Sequence, residues 1–180
     1  MAKTFLVTGG AGYIGSHAVK KLLEDGHTVI VFDNFSRGYH EPLELLSKKG
    51  TLEIIEGDLR NPDDIAALFK GRQFDGVFHF AALCLVDESM KQPELYFQNN
   101  VVGSLNLLEG MREAGTDTLV FSSTCATYGE SQYLSMDDQI PTNPTNSYGL
   151  SKRMVEQMIE WYGRIHGLKY AVLRYFNVCG

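Results

Sequence analysis

Tyr148 and Lys152 stand four residues apart in NSYGLSK, a spacing that puts both on one face of a helix. An ammonium near a phenol favours the phenolate, which brings a group with an ordinary pKa of about 10 into a range where it acts as a base. Thr124, in FSSTCATYG, offers a hydroxyl that can hydrogen-bond the same substrate oxygen. In isolation such a pair is as readily a surface feature. A second pattern near the N-terminus changes its meaning.

In KTFLVTGGAGYIGSH, Gly9, Gly12 and Gly15 follow a short apolar run and open an amphipathic segment. A bound pyrophosphate needs backbone N–H groups aimed at it and no side chain in the way, and a glycine turn leading into a helix N-terminus meets both needs. The next strand ends in Asp33, where a carboxylate accepts both ribose hydroxyls and repels a 2′-phosphate. NAD is therefore expected rather than NADP. Arg37 is read as a solvated loop arginine, not as a grip on a 2′-phosphate. Asp58, after the third strand, either reaches the adenine amino group or only caps a turn. Phe80, Ala81 and Ala82 end the fourth strand with small residues that let a cofactor lie close to the backbone.

The elements that must position these residues alternate. Strands are expected over 4–8, 28–33, 52–57, 76–81, 118–123 and 170–176, and helices near 13–25, 41–48, 62–70, 93–114 and 147–166. Asn61 followed by Pro62 reads as a cap and a first-turn proline. This β-α alternation means parallel strands joined by crossover helices, an α/β doubly wound sheet of the Rossmann type with six strands. The long polar connection over 127–147, carrying Pro141 and Pro144, follows the carboxyl end of a strand, where ligands sit in open α/β sheets.

Composition narrows the class. The chain of 180 residues has 16 basic and 22 acidic residues, a formal charge of -6, so a nucleic-acid partner is not expected. No segment reads as a signal peptide or a membrane span, and a cytoplasmic location is expected. Cys84, Cys125 and Cys179 are widely separated and odd in number, which speaks for reduced thiols and against a disulfide framework or a metal site.

The segments TGGAGYIG, DNFSRG, GDLRN, FHFAA, NNVVGSLNLLE, FSSTCATYG, PTNPTNSYGLSK and LRYFNVCG, in this order, resemble the extended short-chain dehydrogenase/reductase family, closest to its UDP-glucose 4-epimerase branch. The resemblance runs from Lys3 to Gly180. It implies NAD contacts from Gly9, Gly12, Gly15, Asp33, Asn34, Asp58, Leu59, Asn99 and Lys152, and the cofactor set is completed by Tyr13, Ile14, Phe80, Ala81, Ala82, Ser122 and Tyr148. It implies that Thr124 and Tyr148 handle the sugar 4-hydroxyl of a UDP-hexose and that Asn177 belongs to the substrate pocket. The implied reaction is transient oxidation at C4 with tightly held NAD and no net redox change. Related dehydratases carry acids just after the Ser/Thr position, whereas Cys125 and Ala126 follow Thr124 here, which argues for an epimerase. The other readings are a non-catalytic NAD-binding module and an NAD-dependent dehydratase or dehydrogenase.

Three departures from the family pattern stand out. Cys84 occupies a position often held by lysine, and Ser147 one often held by proline. The family continues beyond Gly180 with further sheet elements and a substrate lobe, so residues 1–180 are expected to be an NAD-binding domain of low or no activity alone. Finally, the helix carrying Tyr148 has two apolar sides. Val155, Ile159 and Tyr162 share the catalytic face, while Leu150, Met154, Met158, Trp161 and Ile165 form a second stripe, which is read as a homodimer contact, the alternative being cover by elements that follow in the family.

Overall fold

Alternate residues of the first two strands enter two different cores. Leu6, Ile30 and Phe32 pack with Leu68, Leu107, Val155 and Ile159, whereas Val7, Val29 and Val31 pack with Val19, Leu23 and Leu43. Successive side chains of a strand point to opposite faces, so a strand that is apolar throughout must be covered on both sides. Each such side chain, fully buried, is worth roughly 1.5–3 kcal/mol. The computed structural model describes residues 1–130, 137 and 139–179. The expected Pro/polar connection therefore lies partly outside the described residues, at 131–136 and 138, as does Gly180.

The strands are β1 (Thr4–Thr8), β2 (Thr28–Asp33), β3 (Leu52–Glu56), β4 (Gly76–His79), β5 (Thr118–Thr124) and β6 (Lys169–Tyr175). They form one sheet of order β3-β2-β1-β4-β5-β6 with every pairing parallel. This is the doubly wound Rossmann order, with its topological switch between β1 and β4. The helices are α1 (Tyr13–Glu24), α2 (His40–Leu46), α3 (Pro62–Phe69), α4 (Val86–Ser89), α5 (Pro93–Tyr96), α6 (Gly103–Glu113) and α7 (Ser147–His166). Asn61 caps α3 through the Asp63 amide with Pro62 in the first turn, as its sequence indicates. Asn146 caps α7 by accepting from the Gly149 amide at 2.7 Å.

Three expectations need correction. β4 stops at His79 rather than Ala81, because the Phe80 and Ala81 amides both turn to the Thr8 carbonyl, at 2.9 and 3.1 Å. The segment expected as one helix over 93–114 contains a π-helical stretch, Phe97–Val102, between α5 and α6. Such stretches mark functional sites more often than chance. The short α4 has too few residues for a periodic signal and was not expected.

Candidate functional site

The glycine turn is held by its own backbone. Gly9 has φ +72°, and a Cβ there would lie 2.4 Å from the Ala81 nitrogen; one on Gly15 would lie 2.1 Å from the Gly9 carbonyl oxygen. Those two positions are glycine because chain packs on chain. Gly12 differs: an added Cβ would meet only the Gly9 carbonyl, at 3.3 Å. As the N-cap of α1 it offers no side-chain cap, and the positive N-terminal end of that helix lies at the groove that Gly12 lines, where an anion is favoured. Asp33 holds the turn from the other strand, accepting from the Ala11 and Phe35 amides, both at 2.9 Å.

Asp58 does two things at once. Its carboxylate accepts from the Arg60 guanidinium at 2.6 Å and from Asn34 Nδ2 at 3.1 Å, and it also lines the groove. The Arg60 hydrogen bonds, helped by Asn34 and opposed by burial, pull its pKa down to about 2, so it is a fixed anion at neutral pH. Arg37 adds a partner that its sequence did not show. It is exposed on its loop, as expected, and is in addition paired with Glu88, with Nη2 2.7 Å from each carboxylate oxygen.

The catalytic candidates converge from β5 and α7. Thr124 is the last residue of β5, and its Oγ1 accepts from the Ala126 amide at 3.1 Å. Lys152 is buried, its Nζ donating to the Ser122 carbonyl at 2.8 Å and lying 4.8 Å over the Phe121 ring. Burial lowers its pKa to about 8, against the opposing pull of Cys84 and Glu156, which leaves it largely protonated at neutral pH. Tyr148 behaves otherwise than its spacing predicts. Burial raises its pKa and a hydrogen bond with Thr124 opposes that rise, while the Lys152 ammonium is directed at the Ser122 carbonyl. The i, i+4 spacing brings both residues to one wall without by itself making the tyrosine a base.

One cavity of about 690 Å³ lies along the carboxyl ends of the strands, a size suited to an organic ligand. Every residue nominated from the sequence lines it: Gly9, Gly12, Tyr13, Ile14 and Gly15 at the first turn; Asp33, Asn34, Asp58 and Leu59 beyond it; Phe80, Ala81, Ala82 and Asn99 on the far wall; and Ser122, Thr124, Tyr148, Lys152 and Asn177 at the catalytic end. A groove with a helix N-terminus begun by glycine, a carboxylate at the second strand and glycine and alanine walls fits a dinucleotide. The residues missed are supports. Asn100 accepts from the Leu83 amide at 2.8 Å and donates to the Leu83 carbonyl and to Ser151 Oγ, each at 3.0 Å, tying the far wall to α7. Their only signal was the paired Asn99-Asn100.

Residues 5–180 match the NAD dependent epimerase/dehydratase family. The UDP-glucose 4-epimerase of Lacticaseibacillus casei is 44% identical over 177 residues, covering 98% of this chain and 52% of that protein. The UDP-Glc/GlcNAc 4-epimerase of Campylobacter jejuni superposes with a TM-score of 0.95 at 39% identity, covering 98% of this chain and 54% of that one. The UDP-glucose 4-epimerase of Bifidobacterium longum, solved in complex with NAD+ and UDP, gives a TM-score of 0.92 at 34% identity, covering 97% and 53%. The chain spans about half the length of the curated relatives it matches. Among the described residues no helix is long and apolar enough to cross a membrane. With a family match across nearly its whole length and a groove of matching chemistry, the chain belongs to the NAD dependent epimerase/dehydratase family.

Proposed function

We propose that residues 1–180 form the cofactor and catalytic domain of a cytoplasmic nucleotide-sugar 4-epimerase that interconverts UDP-glucose and UDP-galactose. The observation that carries this reading is the convergence of Thr124, Tyr148 and Lys152 on the groove that Gly12, Asp33 and Asn99 also line. When bound, NAD supplies the hydride acceptor at the sugar C4, the returning hydride donor, and a positive pyridinium beside the site. Tyr148 takes the O4 proton, Thr124 orients that oxygen, and Lys152 holds a charge that stabilises the phenolate. Cys125 and Ala126 present no carboxylate next to Thr124, so a dehydratase's acid-base pair is not available there.

The substrate's nucleotide half falls to a lobe outside these residues; β6 is an edge strand on which further sheet elements would pair, and its exposed Tyr170 and Leu173 are faces for further elements to cover. Binding energy from that half positions C4, so the 180-residue chain alone turns over slowly or not at all. The test is incubation with UDP-galactose, first of the chain and then of a chimera joining it to the C-terminal half of a curated relative. UDP-glucose appearing with the chimera supports the reading. A keto or dehydrated product, or NAD binding with no turnover, transfers the chain to another reaction or to a binding role.

Cofactor choice follows from Asp33. Titration should show NAD binding well ahead of NADP, and Asp33→Ala should narrow the difference. Equal affinity in the parent protein would remove Asp33 from this role.

Association follows from α7. Leu150, Met154, Trp161 and Ile165 are exposed, with Leu105 and Val102 exposed on the neighbouring helix, while Met158 packs partly against the core. An apolar stripe of this kind suits an isologous two-fold helix contact. Sedimentation should show a dimer that Trp161→Glu with Ile165→Glu converts to monomer. A parent chain that is monomeric at micromolar concentration would assign the stripe elsewhere.

A further inference from the structure

One ion pair bridges the crevice at the switch point of the sheet. Arg37 lies in the loop after β2 and Glu88 on α4, after β4, and β2 and β4 flank β1 on opposite sides. The two residues therefore belong to opposite banks of the groove. The guanidinium Nη2 reaches both Glu88 oxygens at 2.7 Å; Arg37 and Val86 line the cavity, and Glu88, on the same helix as Val86, stands at its edge.

Both banks are anchored. On the Arg37 side, the Tyr39 amide donates to the Ala11 carbonyl at 3.1 Å, and a Cβ on Gly38 would lie 2.5 Å from the Ala11 Cβ, so this loop is seated on the glycine turn. Phe35 takes φ +53° with its ring stacked 3.7 Å from His40. On the Glu88 side, the fully buried Tyr96 accepts from the Leu85 amide at 2.9 Å, and its single hydroxyl proton is shared between Glu88 Oε2 and the Leu85 carbonyl, each 2.7 Å away. The loop after β2 and the helix α4, each held to its own side, are joined here by a pair of long side chains.

We infer that the Arg37–Glu88 pair is a clasp that limits how fast NAD enters and leaves the groove. The inference rests on the cavity being the NAD site. A dinucleotide lying along the carboxyl ends of the strands runs between these two banks, so it exchanges through the bridged gap. The side chains keep 39% and 24% of their exposure, so the clasp slows exchange without sealing the groove. Opening such a pair changes a rate by about fivefold.

The test compares the parent with Glu88→Gln, Arg37→Gln and the double variant. Stopped-flow NADH fluorescence should show association and dissociation both about fivefold faster in either single variant, with no further gain in the double. Faster dissociation in Arg37→Gln alone would identify Arg37 as a phosphate contact and overturn the clasp. Rates within twofold of the parent in Glu88→Gln would overturn it also. Amide hydrogen exchange on the cofactor-free chain supplies an independent reading: both variants should raise exchange in 35–39 and 85–89 together, and unchanged exchange there refutes the clasp. A parent that binds no NADH fails the cofactor reading, while the exchange result still decides whether the pair holds the banks together.

Discussion

Replacing Tyr148 by Phe in the chimera lowers epimerase turnover by about 10²–10⁴-fold, the range for loss of a positioned acid-base group, and leaves NAD bound. The ring itself is retained. It is largely buried and packs edge-on against Tyr96 at 6.4 Å, contacts that phenylalanine keeps. What is lost is the hydroxyl that meets Thr124, and with it the proton acceptor for O4. Because burial raises the Tyr148 pKa in the cofactor-free chain, the phenolate depends on the charge of Lys152 and of bound cofactor, and Lys152→Met should lower turnover by shifting its pH profile upward. Single-turnover rates and NAD content, measured together, check both expectations. A loss below tenfold in Tyr148→Phe would take Tyr148 out of the role of base.

The second large effect concerns stability, away from the groove. Glu156 is 1% exposed and joins three elements: it accepts from Ser123 on β5 at 2.5 Å, from Arg174 on β6 at 2.8 and 2.9 Å, and from Arg153 on its own helix at 3.0 Å. Removing one member of a buried pair leaves the other uncompensated, at a cost of about 3–5 kcal/mol. Arg174 and Arg153 keep some contact with solvent, so Glu156→Ala is expected near the lower end, about 3 kcal/mol. The urea midpoint should fall with an unchanged slope, and a loss below about 1 kcal/mol would show that the network contributes little.

The same network has a signature in pH. Burial pushes the Glu156 carboxyl up, but hydrogen bonds from Arg174 and Ser123 and the nearby guanidinium charges outweigh it and hold the carboxyl below its ordinary value. A carboxyl with a lower pKa in the folded state adds stability that is present above the unfolded value, about 4.3, and lost as pH falls through the folded one. Glu156→Gln should therefore be less stable than the parent at neutral pH, with the difference shrinking below pH 4.

Sequence alone determined the order of the six strands and of the long helices, because the central strands β1, β2, β4 and β5 are short apolar runs largely buried in the sheet and each long helix carries its own cap or periodic face. Gly9, Gly12, Gly15, Asp33, Thr124, Tyr148 and Lys152 came from local signals, while Asn34, Leu59, Asn99 and Asn177 came from the family resemblance. Gly12 needs open backbone, Asp33 needs the end of a strand, and Tyr148 and Lys152 need one turn of helix, and parallel topology then carries these to the same end of the sheet. Tertiary structure alone decided what stands behind them. His79 illustrates this: its two nitrogens meet Thr8 at 2.7 Å and Ser104 at 2.7 Å, and burial, with the Lys152 charge, lowers its pKa to about 3 and keeps it neutral. Ser104 in turn meets the Asn100 carbonyl at 2.5 Å, and Asn100 holds Leu83 and Ser151. The pairing of Arg37 with Glu88, 51 residues apart, has the same character. Periodicity reports which side of an element is buried, but the partner of a buried or bridging polar group comes from an element distant in the chain, and only the packing of the sheet and its helices brings the two together.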